Sequence, residues 1–279
     1  MTERSADGAT ESREQRDRRI RALMERWTAE RDGDDREPRE PNDQLPREQP
    51  SRPPRGPRPT LTLDQIAAAA VGIADADGLD AVTMRRLAAR LDVATMSLYR
   101  YVKNKEDVYA LMLDAVAREI TLPAPGSAGW RETLRRIATE MRAGQLRHPW
   151  LARLQSSTAF VIAPSVLAVL EAGLAALDAA DITLDVDEMV AAFSTMTAYV
   201  QGRATAEVAQ RETYRRFGWS SDDDMRAAAG PQLVPLLARG DYPTLAHYIV
   251  DGSNQDDAEW SFAFGLECIL DGIAARLGL

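Results

Sequence analysis

The sequence predicts an all-α protein: a small three-helix domain, then a larger helical bundle, preceded by a largely disordered extension. Three observations carry this. From Leu61 onward apolar residues recur at helical spacing, and no useful length alternates as a half-buried strand would. Residues 1–60 hold eight of the 15 prolines among many Arg, Glu and Asp, a composition unable to bury a core. The run "LPAPGSAG" then interrupts the helical pattern, which separates residues 61–120 from 129–279.

Within the extension one island differs. "RRIRALMERWTAE" places Ile20, Leu23, Met24 and Trp27 at i, i+3, i+4 and i+7, the spacing of a short helix over 16–30. "LTLDQIAAAAVGIADADG" reads as the first helix of the small domain, capped near Thr62 or Asp64 and ended by Gly78. "TMRRLAARL" and "TMSLYRYV" are two short helices. "NKEDVYALMLDAVAREI" is a longer one, with Asn104 as cap and carboxylates in the first turn. In the second domain "WRETLRRIATEMRAGQLR" runs to His148-Pro149, and Pro164 opens another helix. "DVDEMVAAFSTMTAYVQGRATAEVAQRETY" is a long helix. "SSDDD" reads as a polar break, and Pro and Gly divide "PQLVPLLARGDYPTLAHYIVD" into short pieces. "DDAEWSFAFGLECILDGIAARLGL" closes the chain.

Charge narrows the function. The net charge is −9, yet Arg85, Arg86, Arg90, Arg100, Lys103 and Lys105 face only Asp92 between residues 83 and 105, a local +5. Lys103 and Lys105 are both of the chain's lysines. The acidic remainder favours solubility, while this patch suits a polyanion. No apolar run reaches membrane-spanning length and the N-terminus has no signal-peptide core, so the expected location is the cytoplasm. With one cysteine, Cys268, an internal disulfide and a cysteine zinc site are excluded; a disulfide across a dimer axis stays open. There is no Gly-rich phosphate loop, no metal-ligand spacing and no nucleophile–base pair. The sequence therefore predicts neither an enzyme nor a bound metal or cofactor.

The patch has the form of helix, tight turn, helix. Leu87, Ala88, Leu91, Val93, Leu98 and Val102 fall where they pack inward. Thr95, Met96, Ser97, Tyr99, Arg100 and Tyr101 remain outward. A major groove admits one α-helix; Arg pairs two guanine acceptors, Ser and Thr bond base edges, and Met meets thymine methyls. Tyr hydroxyls and lysines suit phosphates.

These residues resemble the DNA-binding domain of the TetR family of bacterial transcriptional regulators. The match is "T-x-R-x-LA-x-x-L" followed by "V-x-x-x-x-LY-x-x-V-x-NK", within Leu61–Glu119. "PSVLAVLEAGLAALDAADIT" and "FAFGLECILDGIAARL" resemble the body of the tetracycline-repressor branch. The resemblance implies an all-helical homodimer with a helix-turn-helix head and a body that holds a small-molecule effector and the dimer interface. It implies that Thr83 and Arg85 meet the DNA backbone or a base edge. Thr95, Met96, Ser97, Arg100 and Tyr101 would face bases, and Tyr99 and Lys105 phosphates. One departure is Asp92, where the family usually has glycine in the turn. Two heads imply double-stranded DNA with an inverted-repeat operator, its half-sites about one turn or a multiple apart. The segment "REITLPAP" lacks the histidine that tetracycline-binding members place there, which argues against a tetracycline–magnesium complex.

In the body, Met141, Phe160, Met189, Phe193, Met196 and Tyr199 are candidate effector contacts, with Arg142, Thr197 and Gln201 as polar anchors. Phe262, Leu266, Ile269, Leu270 and Ile273 of the last helix are candidate dimer contacts. The leading expectation is a ligand-responsive repressor. The alternative is an adaptor protein with a TetR-like body and no specific DNA reading, using residues 1–60 to hold partners.

Overall fold

The computed structural model describes residues 18–19, 21–22, 61–124, 126–154, 163–180 and 184–279. The chain divides into two units, Met1–Asp43 and Gln44–Leu279. In the first, residues 18, 19, 21 and 22 are helical and exposed. The rest of the expected 16–30 helix, Trp27 included, lies outside the described residues, as does the Pro-rich tract to residue 60.

The second unit is helical, with no strand among the described residues. α1 (Leu63–Asp77), α2 (Met84–Arg90), α3 (Thr95–Leu98) and α4 (Lys105–Ala117) form the head. α5 (Trp130–Arg147), α6 (Pro164–Asp178), α7 (Val186–Phe217), α8 (Asp222–Leu237), α9 (Pro243–Asp251) and α10 (Ala258–Leu277) form the body. Two 3-10 turns, Leu79–Ala81 and Pro149–Arg153, join elements.

The helix starts follow from their caps. Thr62 and Gln65 make a reciprocal capping box on α1, Thr83 caps α2, Asn104 caps α4 and Asp257 caps α10. Each side-chain oxygen accepts a backbone N–H that has no partner inside the helix. One expectation needs correction. "SSDDD" marks the expected break, since α7 ends at Phe217 and Ser221 and Asp224 form the capping box that starts α8, but this helix then runs through Pro231 and Pro235 and is not divided by them. An interior proline leaves carbonyls without donors. α8 buries no side chain, so water can satisfy them. The chain turns instead after Gly240, at φ 79°.

Two cores organise the unit. The head core gathers Ile66, Leu87, Leu98, Val102, Val108 and Met112. Trp150, Leu154 and Ala163 belong to it as well, so the turn after α5 and the start of α6 pack into the head. The body core joins α5, α6, α7 and α10 through Leu134, Ile137, Leu177, Phe193, Met196, Val200, Phe262 and Leu270. Two glycines let these helices approach. A methyl at Gly173 of α6 would overlap the Phe193 ring, and one at Gly265 of α10 would overlap Tyr199. The Tyr199 hydroxyl donates to the Phe262 carbonyl at 2.8 Å across that contact.

Ion pairs tie α5 to α10 on the outside. Arg135 donates to Glu267 at 2.7 Å, and Arg131 does so at 2.7 Å while also pairing with Asp271. Arg135 and then Arg131 pull the Glu267 carboxyl down from 4.5 to about 2. A depressed carboxyl stabilises the fold above its ordinary value, and that stabilisation is lost as pH falls from about 4.5 toward 2. Half-exposed pairs are screened, so the effect is small. Glu267→Gln should lower the melting temperature by about 1–3 °C at pH 7. The difference from the unmodified protein should close as the pH approaches 2 to 3 in calorimetry; a constant offset would refute the assignment.

Candidate DNA-reading face and effector cavity

The head presents a short, basic, partly apolar face. Leu87, Ala88, Leu98 and Val102 are buried, and Leu91 and Val93 pack against them, as their spacing requires. The turn between α2 and α3 is tight: Asp92 stands at φ 53°, in the left-handed region. Aspartate is among the few side-chain-bearing residues that visit it readily. The glycine usual in the family is thus replaced without loss of the turn. α3 itself is shorter than the expected 95–102. Regular helix ends at Leu98, and tight bonds such as Tyr101 N–H to the Leu98 carbonyl at 2.8 Å carry the chain to Val102.

What faces outward matches most of the expected set. Met96 is 76% exposed, and Tyr99, Arg100 and Arg85 are exposed. Thr95 and Ser97 are half-buried beside them. Thr83 is exposed, but its hydroxyl already accepts the Arg86 N–H at 3.2 Å, so it positions α2. Tyr101 is a partial correction: it is half-buried and packs on the head core. Lys105 sits 5.3 Å above the Tyr109 ring. Arg86 pairs with Asp77, whereas Arg85, Arg90, Arg100 and Lys103 make no ion pair among the described residues. A row of cations without internal anions is available to a polyanion.

A second feature lies behind the head. A cavity of about 330 Å³ opens between the end of α4 and helices α5, α6 and α7. Four expected effector contacts line it: Met141, Phe193, Thr197 and Gln201. Others do not. Met189 and Met196 are buried in the body core, and Tyr199 is held against α10. Arg142 is buried and clasped, donating to Glu207 at 3.0 Å and to Glu259, with its guanidinium 4.7 Å above the Phe262 ring. Burial disfavours its charge, but the two carboxylates outweigh that and raise its pKa. It fastens α5 to α7 and α10 and is not free for a ligand. Phe160 lies outside the described residues. Sequence reasoning missed the wall supplied by α4 and α6, including Leu113, Val116, Ile120, Val166 and Leu170.

The expected dimer contacts face inward within this chain. Phe262, Leu266, Leu270 and Ile273 are buried in the chain's own core, and Ile269 is half-buried against it. The stripe i, i+4, i+8, i+11 faces inward, so it is already covered. The opposite face of α10 carries Trp260 and Phe264, 45% and 59% exposed and stacked at 5.2 Å, with Cys268 exposed one turn on.

The junction between head and cavity is polar and ordered. Buried His148 places Nδ1 2.7 Å from Asp75 of α1 and Nε2 3.3 Å from Glu119 after α4. The Trp150 indole donates to the same Asp75 oxygen at 2.7 Å. Asp114 of α4 accepts the Ser165 N–H at 2.8 Å, and Arg118 bridges it to Asp64. Burial alone would raise the Asp114 carboxyl, but the bonds from Ser165 and Arg118 hold it below its usual range. No cluster of three or more metal-ligating side chains occurs among the described residues, and none of their helices is long and apolar enough to cross a membrane.

Comparison with known proteins covers both the head and the body. Residues 122–277 match the family described as Tetracyclin repressor-like, C-terminal domain, and residues 61–112 match Bacterial regulatory proteins, tetR family. The HTH-type transcriptional repressor DrrR1 of Streptomyces coeruleorubidus is 42% identical over 223 residues, 80% of each chain. An HTH-type transcriptional regulator of Saccharopolyspora erythraea is 36% identical, covering 80% of this chain and 88% of its own. Among solved structures, the Streptomyces coelicolor TetR family protein ActR in complex with actinorhodin superposes with a TM-score of 0.65 at 27% identity, over 79% of this chain and 99% of that one. With its helix-turn-helix head and its helical body both matched, the chain belongs to the TetR family of DNA-binding transcriptional regulators and is not an enzyme.

Proposed function

We propose that the protein is a cytoplasmic, ligand-responsive repressor that binds an inverted-repeat operator as a homodimer and is released by a small-molecule effector. The cavity carries this reading. Its wall includes the last turns of α4, the helix that follows the reading element, so a ligand there presses on the head as well as the body. A ligand that prefers one head placement shifts the population by its differential affinity, and DNA binding changes by the same factor. The likeness to a repressor and to a relative solved with actinorhodin supports the same reading.

The homodimer would use the outward face of α10. Two stacked, exposed aromatic rings on an otherwise packed helix call for a partner. The reading is tested by selecting random duplexes with purified protein at near-physiological salt. An enriched inverted repeat is expected. Salt-sensitive binding without enrichment would instead favour the adaptor.

A further inference from the structure

We propose that Glu140 makes the cavity selective for a cationic ligand: an apolar, ring-containing molecule with one protonated amine. This rests on the reading of the cavity as the effector site. The described lining is mostly apolar, with three ionisable side chains, Glu119, Glu140 and Arg147. Arg147 pairs with Glu119, which also faces His148, so these two charges are matched within the wall. Glu140 is half-buried on α5 and has no ion pair or hydrogen bond to a described residue. Arg136, one turn before it, makes none either.

The consequence is electrostatic. A ligand that fills the cavity strips water from the Glu140 carboxylate. An ammonium in its place restores a charge-assisted bond. A neutral or anionic ligand leaves an anion facing apolar groups, which is costly. Selectivity therefore arises as much from rejecting the wrong charge as from attracting the right one. Across the cavity Ser194, Thr197 and Gln201 stand at i, i+3 and i+7 on α7 and can meet neutral polar atoms, while Leu113 and Leu170 meet the rings.

The test uses two probes of nearly equal shape, 9-(aminomethyl)anthracene, an ammonium at pH 7, and 9-anthracenemethanol, which is neutral. Each is titrated into the full-length protein and followed by anthracene fluorescence. The ammonium should bind about tenfold more tightly than the alcohol. In Glu140→Gln, which keeps the side-chain volume, the preference should fall to within about twofold, the ammonium binding more weakly and the alcohol more tightly than in the unmodified protein. Leu170→Trp, which narrows the cavity, should weaken binding of both. Equal affinities in the unmodified protein, or a preference that survives Glu140→Gln, overturns the role of Glu140 but leaves the cavity as a ligand site. Failure of both probes to bind, or affinities for both that are undiminished in Leu170→Trp, overturns the cavity reading and the Glu140 proposal together.

Discussion

Arg100→Ala is expected to cut affinity for the selected operator by at least roughly 30-fold at near-physiological salt. One good Arg–guanine pair contributes about 1–3 kcal/mol. A two-fold dimer loses it twice, so even the lower figure costs about 2 kcal/mol, near a factor of 30. The fold should not suffer. Arg100 is exposed and makes no ion pair among the described residues, and it lies beyond the buried Leu98 that anchors α3. The melting temperature should therefore stay within about 1 °C, as for surface changes generally. Lys103→Ala should behave differently, weakening selected and scrambled duplexes alike and lowering the salt slope. Gel-shift titrations on both duplexes at two salt concentrations separate the cases. If Arg100→Ala weakens scrambled and selected DNA equally, Arg100 holds phosphate and does not read bases.

The head was legible because its chemistry and its packing share one short segment. Spacing alone distinguishes the buried Leu87, Leu98 and Val102 from the exposed Met96, Tyr99 and Arg100. Even the departure at Asp92 was interpretable, since one backbone angle decides whether the turn survives. The body was less legible for a definite reason. Periodicity shows that a helix has apolar columns but not what each column meets. On α7 the column through Met189, Phe193, Met196 and Val200 fills the body core. The adjacent column through Ser194, Thr197 and Gln201 lines the cavity. Choosing large apolar residues selected the core column, and only Phe193 serves both. In the polar stripe beside Phe193, Thr197 and Gln201 belong to the expected set and only Ser194 does not. α10 repeats the difficulty: apolar columns lie on opposite faces, and the column expected at the dimer contact is the inward one. The close approach at Gly173 and Gly265 depends on which helices cross there, and no local pattern reveals that.

Head and body meet through contacts that the sequence did not single out, and His148 is the one with the largest expected effect. It is buried among Asp75 of α1, Glu119 beyond α4 and the Trp150 ring, whose centroid is 5.7 Å away. His148→Leu keeps apolar bulk for the Trp150 side but removes both polar contacts. Trp150 still donates to Asp75, so that carboxylate keeps one partner, whereas Glu119 retains only Arg147. Losing such contacts costs about 1–3 kcal/mol. For a chain of this size that is a fall of about 2–10 °C in melting temperature. A purely stabilising cluster would do nothing more. Here Asp75 and Glu119 belong to the head and its exit, while His148 and Trp150 lie where the chain leaves α5 of the body and packs into the head core, so the cluster also fixes how the head is held. Operator affinity measured well below the melting point should drop about tenfold although His148 bonds to none of the residues of the reading face, because a loosened head must be ordered on binding. The same variant should blunt the response to any ligand of the cavity, since Glu119 lines it, reaches His148 directly and pairs with Arg147 of the same wall. A folded His148→Leu protein with unchanged operator affinity would show that the cluster stabilises the junction without transmitting across it.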